Sequence, residues 1–295
     1  MTLAELLFGT ELIKMLQSLF SPQLSWIFEA ITLLGDGTVL VGLSAAIYWC
    51  FDKSCGRLVT YVLLLGAYLN FFLKIFIPWP RPPYDLRLAE KSEASYGFPS
   101  GHAQNSTTFW TWITLHFRKR VLGLLGVIVV VAVGISRIYL GLHYLAQVIG
   151  GWAFGLAVAY FGMLLLKHIP GRNGRMRTIP QVLFAFSMLI PLVIAVMLGA
   201  ANEIDPGQIG GYLFGFSLGV LAEDKYVRFT VNVSTVQRIL RLVIGGALTG
   251  LLLLVLQPIL PDTYLVTTFV SSLIRGVFVA VIVPAVFTRI ELRRT

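Results

Sequence analysis

Long, nearly unbroken runs of apolar residues recur along almost the whole chain. Hydrophobic residues make up 57% of its 295 residues and charged residues 13%, more apolar surface than a water-soluble domain can bury. Runs of about 18 or more apolar residues are typical of membrane-spanning helices. Lipid offers no partner to an open backbone edge, and the short alternating segments of a barrel are missing. The sequence therefore predicts an all-α, polytopic membrane helical bundle.

The apolar pattern predicts nine spans, at residues 24–50, 57–78, 99–117, 121–139, 143–166, 178–199, 208–222, 237–257 and 265–287. Residues 1–20 carry charged residues among leucines, which is typical of a helix in the membrane interface. They lack the basic start and cleavage site of a signal peptide. We therefore expect a membrane core at 1–168, with this N-terminal interfacial helix, and a C-terminal transmembrane region at 169–295.

Basic residues collect on one side of the predicted bundle. Most of the 23 lysines and arginines lie at 53–57, 118–120, 167–177, 225–241 and 289–294. Such residues concentrate in cytoplasmic loops, which predicts that this side faces the cytoplasm. Topology and attraction to anionic lipid headgroups then explain the formal charge of +9. No nucleic-acid partner is expected.

A second group of polar residues falls on the opposite, non-cytoplasmic face. It comprises Lys74, Arg81, Ser100, Gly101, His102, Arg137 and His143. Arginine and lysine bind phosphate oxygens, and the helix start at "PSGH" offers unpaired backbone N–H groups to an anion. Two histidines beside such an oxyanion cage can serve as nucleophile and acid. This set of functional groups predicts phosphoryl transfer through a phosphohistidine.

Three motifs in this order resemble the signature of the type 2 phosphatidic acid phosphatase (PAP2) superfamily, which also includes the vanadium haloperoxidases. They are Lys74-(x)6-Arg81-Pro82, Pro99-Ser100-Gly101-His102 and Ser136-Arg137-(x)5-His143, and the resemblance covers about residues 20–166. It implies that His143 attacks phosphorus and that His102 protonates the leaving group. Phosphate oxygens would be held by Lys74, Arg81, Ser100, Gly101 and Arg137, with Ser136 and Pro82 as further binding residues. The resemblance implies no metal and no cofactor.

Position 147 departs from the commonest family pattern, which has aspartate four residues after the third-motif histidine. Gln147 lies one helical turn beyond His143 and can accept a hydrogen bond from its ring N–H. An amide fixes the tautomer but adds no charge to stabilise the imidazolium form. Gln147 also resembles the glucose-6-phosphatase and dolichyl-diphosphatase branches. We therefore expect a working variant, with an inactivating change as the alternative.

Two further charges lie inside predicted spans, Asp36 between two glycines and Arg275 near the middle of the last span. A charge at membrane depth is generally paired or lines a polar cavity. Each is therefore a candidate either for the polar shell of the site or for a structural pair. The glycine-rich segments "GQIGGYLFGFSLG" and "VIGGALTG" suit close helix packing, through a homodimer face, a wall for a lipid tail or internal contacts.

Three classes of function remain open. The leading prediction is an integral-membrane phosphatase of a lipid phosphate or diphosphate (isoprenyl, phosphatidyl or sphingoid), acting at the non-cytoplasmic face of a cell membrane. A phosphatase of a soluble sugar phosphate, resembling glucose-6-phosphatase, is the first alternative. A transporter or flippase on an inactive phosphatase fold is the second.

Overall fold

The computed structural model describes residues 2–20, 22–88, 95–166, 178–187, 189–199 and 206–292, and this part of the chain is helical without strands. It forms two compact units, Met1–Gly42 with Leu65–Met163, and Leu43–Leu64 with Leu164–Thr295. The predicted division at 168 differs in one segment, because residues 43–64 pack with the C-terminal helices. The all-helical membrane bundle is confirmed.

The helices up to residue 166 are α1 (Leu3–Phe8), α2 (Glu11–Leu19), α3 (Ser25–Thr32), α4 (Gly37–Cys50), α5 (Lys53–Phe76), α6 (Gly101–Phe117), α7 (Arg120–Tyr139) and α8 (Leu145–Leu166). Those that follow are α9 (Thr178–Ser187), α10 (Leu189–Met197), α11 (Pro206–Ala222), α12 (Thr235–Ile259), α13 (Leu265–Val277) and α14 (Val283–Leu292).

Helices occupy all nine predicted spans, but fewer meet the length and hydropathy expected of a membrane crossing. Five do so in the described residues, and a sixth if the bent pair Ser25–Gly35 and Gly37–Cys50 is one span. The difference arises because α6 and α11 have 17 residues each, and because residue 188, between α9 and α10, lies outside the described ranges.

The first span breaks at Asp36, where the two helical segments meet at 53°. Asp36 Oδ1 accepts the backbone N–H groups of Thr38 and Val39 at 2.9 and 3.1 Å. Aspartate is among the best N-cap residues because its side chain satisfies amides that have no partner inside the helix. The "GDG" sequence therefore ends one helical segment and begins another within the span.

Close packing of α6 against α8 brings two of the signature motifs together. A Cβ added at Gly151 or Gly155 of α8 would lie 2.6 Å from the carbonyl oxygen of Ser100 or Gln104, respectively. Small residues allow helices in membranes to approach at backbone distance. The glycines therefore set the N-terminal end of α6 against the first turns of α8.

The N-terminal helix α2 docks on this unit through one apolar and one polar side chain. Ile13 is 1% exposed and packs with Ala103, Ile138 and Val148. Gln17 Nε2 donates to the carbonyl oxygens of Leu86 and Tyr139, both at 2.8 Å. The helix predicted for the interface is thus also part of the support beneath α6, α7 and α8.

Charged side chains form a buried cluster in the second unit. Lys53 and Arg57 of α5 contact Glu223 and Asp224, which follow α11; Lys53 Nζ lies 2.6 Å from Glu223 Oε2, and Arg57 Nη2 lies 2.7 Å from Asp224 Oδ1. Arg57 also contacts Glu223. Mutual pairing compensates the cost of burying these charges. The cluster ties the start of α5 to the end of α11.

Arg275 and the glycines of α11 also have partners within the second unit. Arg275 Nη2 lies 3.3 Å from Asp262 Oδ2, which is the structural pair among the alternatives for this residue. Gly211 and Gly215 of α11 contact the backbone of α13 at Phe269 and Leu273. The glycines of α11 therefore serve internal packing, and a homodimer stays a prediction.

We predict that Ile13→Ala destabilises the protein by about 2–5 kcal/mol, because it leaves a cavity where α2 meets the core. Thermal unfolding in detergent measures this as a lower midpoint. Met15→Ala is the matched control, because Met15 lies on the same helix and is 45% exposed. This variant should shift the midpoint little. Equal shifts for the two variants would contradict docking through Ile13.

Candidate active site

His143 lies in the turn between α7 and α8 and is 1% exposed. The turn is possible because Gly141 adopts a φ of +68°, which is costly for residues with a side chain. The backbone N–H of His143 donates to the carbonyl oxygen of Arg137 at 3.2 Å. The last residues of α7 thus hold the histidine at the start of α8.

Hydrogen bonds to Gln147 determine which ring nitrogen of His143 carries the proton. Gln147 Nε2 donates to the carbonyl oxygen of Pro80 at 2.7 Å, and Gln147 Oε1 accepts the N–H of Tyr144 at 3.2 Å. These backbone groups assign the amide oxygen and nitrogen. His143 Nδ1, 3.0 Å from Gln147 Oε1, is therefore the donor. The lone pair is left on Nε2.

Arg81 faces that lone pair. Its Nη1 lies 3.0 Å from His143 Nε2 and donates to the carbonyl oxygen of Leu142 at 3.1 Å. Its Nε donates to the carbonyl oxygen of Ser95 at 2.6 Å. The guanidinium is thus held rigidly, with its planar donor fork beside the nucleophilic nitrogen of an imidazole.

Ser95 joins Arg81 to Lys74. Its hydroxyl accepts from Lys74 Nζ at 2.9 Å and from Arg81 Nη2 at 3.1 Å. Lys74 is 6% exposed, so an oxygen acceptor between these two cations is needed in place of water. Sequence reasoning did not select Ser95, because the loop before the "PSGH" motif has no spacing that marks one serine.

The "PSGH" segment supplies a polar helix start at the same place. The backbone N–H of Ser100 donates to the carbonyl oxygen of Gln147 at 3.0 Å. Ser100 Oγ is buried and has no hydrogen-bond partner among the described residues. A Cβ at Gly101 would meet Asn70 at an ordinary 3.5 Å. Packing therefore does not require glycine at 101.

His102 and Arg137 both contact the connection between α3 and α4. His102 Nε2 lies 4.0 Å from Asp36 Oδ2. Arg137, which is 2% exposed, donates from Nη1 to Thr32 Oγ1 at 3.3 Å. The polar break in the first span is thus the common neighbour of these two predicted site residues.

Two predicted site residues have contacts that point elsewhere. Ser136 Oγ donates to the carbonyl oxygen of Val133 in its own helix at 2.7 Å. The carbonyl oxygen of Pro82 accepts from Arg87 Nη2 at 3.3 Å. Their predicted contact with substrate therefore has less structural support than that of Lys74 and Arg81.

The arrangement is suited to a doubly charged oxyanion. Cations, a buried hydroxyl and a helix start lie around a histidine whose unprotonated Nε2 faces Arg81. Within the described ranges, no group of three or more His, Cys, Asp or Glu side chains is placed to hold a metal ion.

Comparison with known proteins finds two family patterns in the chain. The sequence model of the "PAP2 superfamily" matches residues 56–170, which include Lys74, Arg81, His102, His143 and Gln147. A second one, "PAP2 superfamily phosphatase, transmembrane extension", matches residues 207–295. The C-terminal helices, which lie outside the three-motif signature, thus have a family pattern of their own.

Curated relatives match about half of the chain. Phosphatidylglycerophosphatase B of Bacillus subtilis is 30% identical over 47% of this chain and 73% of its own length. Sphingosine-1-phosphate phosphatase 2 of Mus musculus is 27% identical over 43% of this chain and 38% of its own. Undecaprenyl-diphosphatase of Sulfolobus acidocaldarius is 26% identical over 57% and 74%, respectively. With the two matching family patterns, these similarities show that the chain is a multi-pass membrane protein of the PAP2 superfamily.

Proposed function

We propose that the protein is an integral-membrane phosphatase that hydrolyses a lipid phosphate or diphosphate through a phosphohistidine on His143. The observation that carries this proposal is the geometry of His143. Gln147 holds the proton on Nδ1, and Arg81 contacts the unprotonated Nε2. A nucleophile oriented by one partner and placed beside a phosphate-binding cation is the arrangement that phosphoryl transfer requires.

The proposed reaction has two steps. When a phosphate enters, its oxygens take up the donors of Arg81, Lys74 and the start of α6. His143 Nε2 then forms a bond to phosphorus as the bond to the leaving oxygen breaks, and His102 gives a proton to that oxygen. Water next attacks phosphorus and the P–N bond breaks, while His102 takes up the proton that water loses.

Apolar and aromatic side chains near the cage favour a lipid substrate over a sugar phosphate. Trp79 directly precedes Pro80, and its ring lies 5.3 Å from that of Phe8 and 5.1 Å from that of Phe98. Phe8 is 48% exposed and Trp79 39%. Aromatic rings are enriched at membrane–water interfaces, where a lipid headgroup would enter with its tail still in the bilayer. The three relatives are also named for lipid phosphates or diphosphates.

A panel of substrates tests the proposal. Purified protein in detergent should release phosphate faster from isoprenyl phosphates, phosphatidic acid or sphingoid phosphates than from glucose 6-phosphate. Faster release from glucose 6-phosphate would favour the sugar-phosphate alternative. No release from any member of the panel would favour the transporter alternative.

We predict that single changes in the cage lower turnover by orders of magnitude while the fold is kept. Arg81→Ala and Arg137→Ala should each cost about 10²–10³-fold, because preorganised charge stabilises the transition state. His102→Ala should cost about 10²–10⁴-fold, the usual contribution of a general acid. His143→Ala should abolish both turnover and the phosphoenzyme.

Arg120→Ala is the control for these variants, because Arg120 is exposed at the start of α7 and should be dispensable. EDTA should change the wild-type rate little. Loss of activity in EDTA that a divalent metal restores would contradict the metal-independent mechanism.

We predict that replacing Gln147 by a carboxylate does not accelerate the reaction. Glutamate keeps the acceptor for His143 but sets an oxygen in place of Nε2, which lies 2.7 Å from the Pro80 carbonyl. Two facing acceptors repel, so Gln147→Glu should lower the thermal midpoint and the rate. Gln147→Asp is one methylene shorter and should be slower still.

The wild-type protein is the reference for the Gln147 variants, and phosphoenzyme formation is the measurement. An inactive wild type with an active Gln147→Asp or Gln147→Glu variant would show that glutamine is an inactivating change.

We predict that the cage opens to the non-cytoplasmic side. Tyr84→Cys, three residues after Arg81 and 71% exposed, should react with an impermeant maleimide in intact cells. Arg120→Cys should react only after permeabilisation, and the native thiols of Cys50 and Cys55 are buried. Equal labelling of the two positions from outside would overturn the topology.

A further inference from the structure

We infer that Asp36 is a positioning residue for His102, which keeps this histidine protonated and oriented as the acid of the reaction. This inference rests on the proposed phosphatase function and extends it to a residue outside the three signature motifs. It starts from the break in the first span, where Asp36 Oδ2 lies 4.0 Å from His102 Nε2.

The two oxygens of the Asp36 carboxylate have different neighbours. Oδ1 accepts the N–H groups of Thr38 and Val39 at the start of α4, and these two bonds fix the rotation of the carboxylate. Oδ2 is thereby directed to His102. The side chains of Asp36 and His102 are 35% and 23% exposed, so solvent screens the pair only in part.

Backbone packing holds the two residues at this distance. A Cβ at Gly35 would lie 2.7 Å from the carbonyl oxygen of His102 and 3.1 Å from its Cβ. Glycine at 35 therefore lets the turn before Asp36 lie directly on the first turn of α6. This contact and the helix cap are independent features, and both orient Asp36 toward His102.

The electrostatic surroundings explain why His102 needs an anionic neighbour. Helices α3, α6 and α7 pack against the turn that precedes Asp36. They carry other charged or titratable side chains, namely Glu29 on α3 and Arg137 on α7, with His116 and Arg120 at the far ends of α6 and α7. Lys74 and Arg81 are two further cations of the oxyanion cage. A cationic cage disfavours the imidazolium form, and a carboxylate within ion-pair distance favours it.

The pairing also assigns the two nitrogens of the acid. The carboxylate of Asp36 lies at ion-pair distance on the Nε2 side of the His102 ring, and Nδ1 carries the proton that passes to the leaving oxygen. The two nitrogens have the opposite roles in His143, where Nδ1 donates to Gln147 and Nε2 is the atom that bonds to phosphorus. The neutral amide suits a histidine that must attack with a lone pair, and the carboxylate suits one that must give up a proton.

Two variants separate the charge of Asp36 from its cap. Asp36→Asn keeps an oxygen acceptor for the cap and removes the charge, whereas Asp36→Glu keeps the charge and weakens the cap. Glu29→Gln removes a charge from α3 and is the matched control. Turnover is measured on a lipid phosphate that the wild type hydrolyses and on p-nitrophenyl phosphate, whose leaving group needs no acid.

We predict that Asp36→Asn lowers turnover of the lipid phosphate by about tenfold, a part of the full contribution of a general acid. It should lower turnover of p-nitrophenyl phosphate far less and move the alkaline limb of the pH profile to lower pH. Asp36→Glu should be faster than Asp36→Asn on the lipid, and Glu29→Gln should match the wild type.

Each contrary result overturns a separate statement. Equal losses on both substrates with an unchanged alkaline limb, or Asp36→Glu slower than Asp36→Asn, would show that Asp36 only caps α4. A wild type that releases no phosphate from any lipid or aryl phosphate would instead overturn the proposed function, and the inference with it.

Discussion

Hydrogen bonds to Gln147 join the three separate segments that carry the candidate site. Its side-chain amide donates to Pro80, beside Arg81, and accepts from His143, while its backbone carbonyl accepts from Ser100. A buried amide with all its bonds made costs little, but one that loses a partner is destabilising. The relative positions of His143 and Arg81 therefore depend on this side chain, and the backbone of the same residue holds the start of α6 beside them.

This role explains how glutamine can replace the commoner aspartate. A carboxylate could accept from the imidazole, but it could not donate to the Pro80 carbonyl. The chain thus keeps the tautomer of His143 and gains a bond to the loop that bears Arg81. The charge that this position lacks is present instead at Asp36, beside the second histidine.

Lys74 and Arg137 are the buried cations of the candidate site. Both are at most 6% exposed, and each donates to a hydroxyl group, Lys74 to Ser95 at 2.9 Å and Arg137 to Thr32 at 3.3 Å. Cations that packing and hydrogen bonds hold in place are suited to bind phosphate oxygens, as the proposed function requires. The N-terminal helix supports this arrangement from below, because Gln17 bridges the loop at Leu86 to the end of α7.

Hydrophobic runs and motif spacing were sufficient to predict the helical membrane fold and the family, and they selected Arg81 and His143, which the fold brings to 3.0 Å. Lipid permits few backbone structures, and each motif places its polar residues at the end of one helix. The links between motifs could not be predicted, because Ser95 and Pro80 carry no pattern and contact the site only through the folded loop. Likewise, "GDG" marked a break in a span, but the packing of Gly35 on α6 decided that Asp36 meets His102. Local sequence determined which groups are present and on which helix, whereas distances of 3–4 Å between segments far apart in the chain were decided by tertiary packing.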